Sequence, residues 1–224
     1  MSARFDELML AAEAAFTRDD LEGAAELYAQ AVDAARSEGN EDGADHAFCN
    51  HCSMLAELDR GAEQIPKLKE ILLRSSNDKN RFLAAYCTAV AYDLKDDRER
   101  SLSYANRAME LSDSLGEADL ISRSANLAGT LAIRDSKFDE ADRCYKKALS
   151  IQESLDGYHL IVRAQYKDNL GYVMMCTDRL EEGIELCETA KSELERLGAD
   201  HYLYETLQDL CYGHLLADNL VRAR

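Results

Sequence analysis

The chain has 224 residues, a formal net charge of -17 at pH 7 and an isoelectric point near 4.7. We do not expect direct nucleic-acid binding, because a phosphate backbone is bound by clustered lysine and arginine rather than by an acidic surface. One proline, 31% charged residues and no Asn-Gly or Pro-Gly hairpin signal indicate an all-α chain with long helices.

Signals for export or membrane insertion are missing from the sequence. The N-terminal stretch MSARFDELMLAAEAAF has no basic leader followed by an apolar run and a cleavage site. No window holds eighteen uninterrupted apolar residues. The seven cysteines, an odd number spread over predicted helices, do not form the dense framework of a small secreted domain. We therefore expect a cytoplasmic protein that does not contact membranes.

A pair of residues twelve positions apart recurs six times, and its usually small second member closes a short turn and opens a helix. Small residues at such positions let two helix backbones approach closely. The second members are 40, 37, 40, 42 and 40 residues apart, which is the period of stacked helical hairpins. The pairs are Ala12/Ala24, Cys52/Gln64, Ala89/Ser101, Gly129/Ala141, Gly171/Gly183 and Cys211/Ala223.

The period predicts five helical hairpins and a final helix, which together form one domain over residues 1–224. Pro66 falls inside the second helix of the second hairpin, and a helix tolerates proline only in its first turn. That helix is therefore expected to begin close to Glu63 or Gln64. The predicted segments, in chain order, are 5–40, 44–76, 81–115, 120–156, 159–198 and 201–222.

Two segments, LAGTLAIRDSKFDEADRCYKKALSI and NLGYVMMCTDRLEEGIELCETAKSEL, resemble tetratricopeptide repeats (TPR). The usual repeat has 34 residues, and the spacing near 40 found here is similar to the longer repeats of kinesin light chains and MalT-like bacterial regulators. The resemblance implies a right-handed superhelical solenoid of antiparallel helix hairpins, with five full repeats and a terminal half repeat. It also implies that the first helix of each repeat lines a concave groove.

The groove side of the first helices carries side chains suited to holding a peptide. Arginine can make charge-assisted hydrogen bonds to a carboxylate, and asparagine can bind a peptide backbone. An ordinary solvated helix face is the open alternative. The predicted groove residues are Arg123, Asn126, Thr130 and Arg134 in the fourth repeat, Gln165, Asp168, Asn169 and Tyr172 in the fifth, and Tyr86 in a mixed to apolar strip of the third.

The segment from His46 to Cys52 contains residue types that bind zinc. A structural zinc site needs four converging donors, and on a helix His46, Cys49 and Cys52 would spread around one side while His51 points elsewhere. We therefore expect these side chains to pack rather than bind metal, and we expect no cofactor. Cys52, Cys187 and Cys211 stand where other repeats have packing residues, and a free cysteine behaves as a small hydrophobe there.

Catalytic sequence signatures are not found. The chain has no phosphate-binding glycine loop, no His-Glu-x-x-His pair and no Gly-x-Ser-x-Gly elbow. Acidic pairs stand at predicted hairpin turns, where carboxylates favour the N-terminus of the following helix. We therefore expect a protein that is not an enzyme. The acidic pairs are Asp19/Asp20, Asp96/Asp97 and Glu181/Glu182.

The C-terminal residues 219–223 repeat the hairpin turn of a sixth repeat, and no second helix follows. Either the chain is the N-terminal part of a longer protein, or its last helix is a cap. In the second case the apolar stripe of Leu203, Leu207, Leu210 and Cys211 is a candidate homodimer surface. The favoured function is a protein-protein interaction scaffold that binds a peptide or protein segment in its groove. The alternative is a ligand- or peptide-sensing TPR domain of a longer transcriptional or signalling regulator.

Overall fold

The structure, a computed structural model, describes residues 3–155 and 160–217, and the regular secondary structure in those ranges is entirely helical. The predicted all-α class is therefore confirmed. A 3-10 helix at Ala62–Gln64 precedes the fourth α-helix. The α-helices are α1 (Ala3–Phe16), α2 (Leu21–Ser37), α3 (Glu41–Glu57), α4 (Ile65–Arg74), α5 (Asp78–Leu94), α6 (Arg98–Leu115), α7 (Ala118–Arg134), α8 (Phe138–Ser154), α9 (Leu160–Met175), α10 (Leu180–Leu197) and α11 (Asp200–Leu216).

The helices form two compact units, an N-terminal unit at Met1–Glu117 and a C-terminal unit at Ala118–Arg224. In the N-terminal unit α1 packs with α2 and α5 with α6, while α3 packs mainly against α2 and α5. In the C-terminal unit α7 packs with α8, α9 with α10, and α11 against both α9 and α10. The expectation that residues 1–224 form a single solenoid domain stays a prediction.

Two hairpin turns of the N-terminal unit share a local geometry built on consecutive aspartates. Asp19 and Asp96 have positive φ angles of 62° and 56°, a left-handed conformation that aspartate tolerates better than most residues. The next residue caps the following helix: Asp20 accepts a hydrogen bond from the Gly23 N–H at 2.9 Å, and Asp97 accepts one from the N–H three residues later at 3.2 Å. The predicted structural role of these acidic pairs is confirmed.

The fourth helix begins close to the predicted position. Gly61 has a φ of 101°, a conformation that favours glycine, and it leads into the short 3-10 helix. Helix α4 then begins at Ile65, one residue after Gln64, so that Pro66 lies in its first turn. The proline is accommodated without interrupting the helix.

Glycines at two helix crossings of the C-terminal unit bring backbones and rings into close contact. A Cβ atom added to Gly129 would lie 2.6 Å from the ring of Tyr145. A Cβ atom added to Gly183 would lie 2.6 Å from the backbone oxygen of Gly171. Real Cβ atoms do not approach other heavy atoms so closely, so the crossing of α9 with α10 requires glycine.

Most members of the residue pairs twelve positions apart are buried, as the repeat pattern predicts. The members with no exposed surface are Ala12, Ala24, Ala89, Ser101 and Ala141. Gln64 is partly exposed, and α3 and α4 are less closely packed than the other hairpins. Cys211 is exposed, so its predicted packing role is wrong, whereas Cys52 and Cys187 are buried as predicted. Ala223 lies outside the described residues.

Candidate binding face of the first helices

We define the first-helix face of the C-terminal unit as the side on which α7, α9 and α11 present polar residues. Helix α9 packs against both α7 and α11. Most of the predicted groove residues on this face are at least partly exposed: Arg123, Asn126, Thr130 and Arg134 on α7, and Gln165, Asn169 and Tyr172 on α9. Asp168, which was expected to line the groove, is instead buried between α9, α10 and α11 and is only 5% exposed.

Two asparagine side chains on adjacent first helices meet on this face. The Nδ2 atom of Asn169 on α9 donates a hydrogen bond to Oδ1 of Asn126 on α7, with a separation of 3.0 Å. The amide nitrogen of Asn126 and the amide oxygen of Asn169 have no protein partner in the described part of the chain. This pair thus retains the NH₂ group of Asn126 as a donor group and the amide oxygen of Asn169 as an acceptor, and a peptide backbone can satisfy both.

The hydroxyl of the partly exposed Thr130 is hydrogen-bonded to groups of the protein itself. Its hydroxyl lies 3.1 Å from the hydroxyl of the buried Tyr145 and 3.3 Å from the backbone oxygen of Asn126. Burial raises the pKa of the Tyr145 hydroxyl, with a smaller opposing effect from its hydrogen bond to Thr130. The hydroxyl of Thr130 therefore positions α7 against α8.

A group of acidic side chains on α9 and α11 was not foreseen from the sequence. Burial, followed by the nearby charges of Asp168 and Glu205, raises the pKa of Asp209 to about 7. Burial also raises the pKa of Asp168 to about 6, although the nearby Cys187 thiol and Thr206 hydroxyl act in the opposite direction. Glu205 and Asp209 are four residues apart, so they share a side of α11. That spacing was the available sequence signal.

Two tyrosines lie beside the acidic group. The rings of Tyr172 on α9 and Tyr212 on α11 are 5.7 Å apart between centroids, at an interplanar angle of 34°. Burial, with a smaller contribution from the neighbouring Cys176 thiol, raises the pKa of Tyr172 to about 12. Tyr212 is 39% exposed, so this aromatic pair is accessible from one side.

Tyr86, the remaining predicted groove residue, lies in the N-terminal unit. It is partly exposed on α5, with its ring centroid 6.0 Å from that of the fully buried Phe82. The neighbouring Leu83 is buried, and Cys87 donates a hydrogen bond to the backbone oxygen of Cys49 at 3.4 Å. Much of the apolar strip predicted on this helix is therefore core rather than accessible surface.

The histidine and cysteine segment of α3 packs within the N-terminal unit. The Nδ1 atom of His51 lies 2.9 Å from the backbone oxygen of Ala25, and Cys49 and Cys52 are buried. Over residues 3–155 and 160–217, no three histidine, cysteine or acidic side chains are grouped closely enough to hold a metal ion. Among the same residues, no helix combines the length and apolar character needed to cross a bilayer.

Helix α11 carries several exposed apolar side chains. Leu207 is exposed, as are Cys211, Leu215 and Leu216, whereas Leu210 is buried against α10 and Leu203 is intermediate. The predicted apolar stripe therefore divides into a buried and an exposed part. A homodimer through this helix stays a prediction.

Comparison with known proteins supports the fold through similar solved structures and not through similar sequences. No family model matches the chain, and no curated protein sequence matches it. The structures it resembles include BtubC (BKLC) from P. vanneervenii, with 17% identity, a TM-score of 0.58 and coverage of 100% of this chain and 87% of the other. A kinesin-light-chain-like protein of Podosopora anserina with nearly identical TPR-like repeats has 14% identity, a TM-score of 0.53 and coverage of 100% and 92%.

A Rap protein complexed with Competence and Sporulation Factor is also similar, with 15% identity and a TM-score of 0.73. The match covers 96% of this chain and 66% of the Rap chain. The chain therefore has the all-α fold of TPR-like helical-repeat proteins, and its predicted resemblance to kinesin light chains is confirmed at the level of fold. The resemblance to MalT-like regulators stays a prediction.

Proposed function

We propose that this chain is a non-catalytic interaction scaffold that binds an extended peptide or protein segment on the first-helix face of its C-terminal unit. The Asn126–Asn169 pair is the observation that carries the proposal. Two amides from different helices are joined by a hydrogen bond and keep the NH₂ group of Asn126 and the amide oxygen of Asn169 for a ligand. Preorganised amides of this kind suit a peptide backbone, because ordering them costs little when the ligand binds.

Charged side chains on the same helix extend this site. Arg123 and Arg134 lie on either side of Asn126 along α7, in a protein whose net charge is -17. An arginine side chain can bind a carboxylate through two parallel hydrogen bonds, which provides orientation as well as attraction. A bound segment is therefore expected to place a carboxylate near α7.

The structural neighbours are consistent with this function. Repeat folds with few catalytic motifs commonly present a long surface for partners. The similar Rap protein was solved in complex with Competence and Sporulation Factor, so a fold of this type can hold a partner. The chain also lacks the sequence signatures of the common hydrolytic and phosphate-binding sites.

Selection from a random dodecapeptide library on the immobilised full chain tests the proposal. Selected peptides would be labelled with fluorescein, and their affinity would be measured by fluorescence polarisation. Asn126→Ala combined with Asn169→Ala should weaken binding about tenfold, equivalent to about 1.4 kcal/mol. Arg123→Glu combined with Arg134→Glu should weaken it by at least as much.

A matched charge reversal on the second helices provides the control. Arg143 on α8 and Arg196 on α10 are both exposed, so Arg143→Glu with Arg196→Glu makes the same change in net charge away from the first-helix face. This variant should keep its affinity within twofold. Equal losses in both charge-reversed variants would indicate a general charge effect and contradict the assigned face. Failure to select any peptide would contradict binding of short linear segments.

A further inference from the structure

The acidic group on α9 and α11 contains a buried carboxyl group without a complete set of partners. Asp168 is 5% exposed, and its Oδ1 atom is fully buried with no hydrogen-bond partner in the described structure. Helix α9 packs against α11, and the carboxyl group of Asp168 is near enough to Asp209 to contribute to the raised pKa of that residue. Within the described residues, no cation forms an ion pair with Asp168 or Asp209. Two neighbouring carboxylates are therefore left without a counter-charge.

Uncompensated carboxylates are costly in a partly dry environment, because burial and like charge both oppose ionisation. The groups facing the pair from the packed helices are neutral or acidic. They are Tyr145 on α8, Tyr172 on α9, Cys176 directly after α9, Cys187 on α10, and Glu205, Thr206 and Tyr212 on α11. An arriving cation would remove the repulsion between the carboxylates and would not displace any charge already present.

We propose that Asp168 and Asp209, together with Glu205 and the Tyr172–Tyr212 pair, form a subsite for a lysine or arginine side chain of the bound peptide. This inference rests on the proposed function and specifies the chemistry of its partner. The partly exposed Asp209 contacts the cation, and the buried Asp168 adds negative charge behind it. The tyrosine rings supply faces on which an ammonium or guanidinium group is attracted.

An organic cation fits this site better than a metal ion. Metal ions require three or more converging ligands, and the described side chains here do not form such a group. Tyrosine rings contribute nothing to the binding of a hard metal ion, whereas they favour a side chain that carries charge on an apolar stem. The preferred segment then has opposite charges at its two ends, a carboxylate near α7 and a cation near α11.

The first experiment probes the subsite without a peptide. The ¹⁵N-labelled full chain is titrated with N-acetyl-L-arginine amide and N-acetyl-L-lysine amide, and N-acetyl-L-norleucine amide is the uncharged control. The cationic amides should cause saturable shifts of backbone signals in α9 and α11, and norleucine amide should not. Binding should be stronger at pH 8 than at pH 5.5, because protonation of the carboxyl groups competes with the cation.

Variants test whether the carboxylates bind the cationic amides. Asp209→Asn should abolish the saturable shifts, whereas Asp178→Asn, the same change at an exposed residue, should leave them unchanged. Glu205→Gln, also at an exposed position, should weaken the shifts about threefold and provides a second variant if Asp209→Asn does not fold. Unchanged shifts in both variants would overturn the proposal. Equal shifts with Ca²⁺ or Mg²⁺ alone would overturn it in favour of a metal site.

The second experiment separates this inference from the proposed function. Selected dodecapeptides should contain lysine or arginine, and replacement of that residue by norleucine should cost about tenfold in affinity. Asp209→Asn should weaken the cationic peptide similarly and leave the norleucine peptide unaffected. If peptides bind with the same affinity to Asp209→Asn, the subsite is wrong and the scaffold function stands. If the amides bind and no peptide does, the subsite stands and the scaffold function fails.

Discussion

Each of the two units buries an aspartate on a first helix, and only one of the two aspartates has an arginine as its partner. In the N-terminal unit Asp45 on α3 is 3% exposed and pairs with Arg74 on α4, whose Nη2 atom lies 2.5 Å from Oδ1. In the C-terminal unit Asp168 on α9 is 5% exposed and has Asp209 as its charged neighbour. Each carboxyl group has one buried oxygen without a hydrogen-bond partner in the described structure, but only the first has a cation of the chain beside it.

The difference separates a structural ion pair from a candidate binding site. Burial raises the pKa of Asp45, while the charge and hydrogen bond of Arg74 lower it. Around Asp168 burial acts together with the negative charge of Glu205 to raise the pKa, and the groups that oppose this effect, the Cys187 thiol and the Thr206 hydroxyl, are neutral. A buried carboxylate is usually retained when something compensates it. For Asp168 that compensation has to come from a ligand or a proton.

The units also differ in how closely their helices cross. The crossing of α1 with α2 uses Ala12 and Ala24, both fully buried. The methyl groups of these alanines lie between the two helix backbones. The crossing of α9 with α10 uses Gly171 and Gly183, where the backbones themselves are in contact. The second arrangement has no room for a side chain, which makes it more sensitive to substitution.

The largest effect is expected for Gly183→Ala. Alanine usually stabilises a helix relative to glycine, but here the added methyl would meet the backbone oxygen of Gly171, which cannot move without shifting α9. We expect the free energy of unfolding to fall by about 3 kcal/mol, near the upper end of the usual cost of overpacking. Urea denaturation followed by circular dichroism measures the change.

Ser192→Ala, at an exposed position of the same helix, is the control for this substitution. It should leave the free energy of unfolding within 0.5 kcal/mol of the starting protein, as is usual for surface positions. A stabilising effect of Gly183→Ala would show that α9 and α10 can separate at little cost, and the contrast between the two kinds of crossing would then be wrong.

The next effect concerns Arg74→Gln, which makes the N-terminal unit resemble the C-terminal one by leaving Asp45 without its cation. Arg74 is 37% exposed on its side chain, so the usual cost of breaking a buried ion pair is reduced by solvent. We expect a loss of about 2 kcal/mol in the free energy of unfolding at pH 8. The loss should shrink towards pH 4, where the carboxyl group becomes protonated.

Urea denaturation at pH 8, 6 and 4 measures this pH dependence. Arg74→Lys keeps the charge and should recover part of the loss, although lysine cannot reproduce the arginine geometry. A loss of stability that is the same at all three pH values would mean that packing of the Arg74 stem, and not its charge, stabilises the unit.

Asp168→Asn is expected to stabilise the protein by about 1 to 2 kcal/mol at pH 8. Burial raises the pKa of Asp168 in the folded protein from its ordinary value of 3.8 to about 6, so the folded protein holds an extra proton between these two pH values. The protonated carboxyl group favours folding below pH 4, and this contribution is lost as the pH rises through 6. The gain from asparagine should therefore be present above pH 6 and vanish near pH 4.

Thermal unfolding across pH 4 to 8 measures this gain, with Asp45→Asn as the matched substitution in the other unit. Asp45→Asn should not stabilise the protein at pH 8, because it removes the partner of Arg74. Destabilisation by Asp168→Asn at every pH would contradict the interpretation that Asp168 lacks a counter-charge.

The smallest effect is expected for Arg60→Gln in the N-terminal unit. Arg60 and Glu22 form an ion pair with separations of 2.7 and 3.3 Å, and both side chains are 57% exposed. Exposed pairs contribute about 0.2 to 1 kcal/mol and are screened by salt. The decrease in the free energy of unfolding that Arg60→Gln causes at low salt should disappear in 1 M NaCl. A salt-independent loss would point to packing of the Arg60 side chain instead.

Much of the fold follows from periodicity that is visible in the chain. Small residues such as Ala12, Ala24 and Gly171 mark helix crossings because only small groups fit there, and the structure buries them. The pattern failed at Cys211, which is exposed, and at Gln64, where the hairpin of α3 and α4 is less closely packed. A spacing rule cannot detect such departures, because it reports the position of a residue and not the distance between two helices.

The sequence by itself determined the helical class, the repeat period, the turn aspartates and the polar side chains along α7 and α9. These features depend on local conformation and on which residues share a helix face. Only the tertiary structure decided that Asn126 meets Asn169, that Asp45 has an arginine beside it, and that Asp168 is buried next to Asp209. Charge compensation depends on distances between helices that are far apart in the chain, and those distances are set by packing.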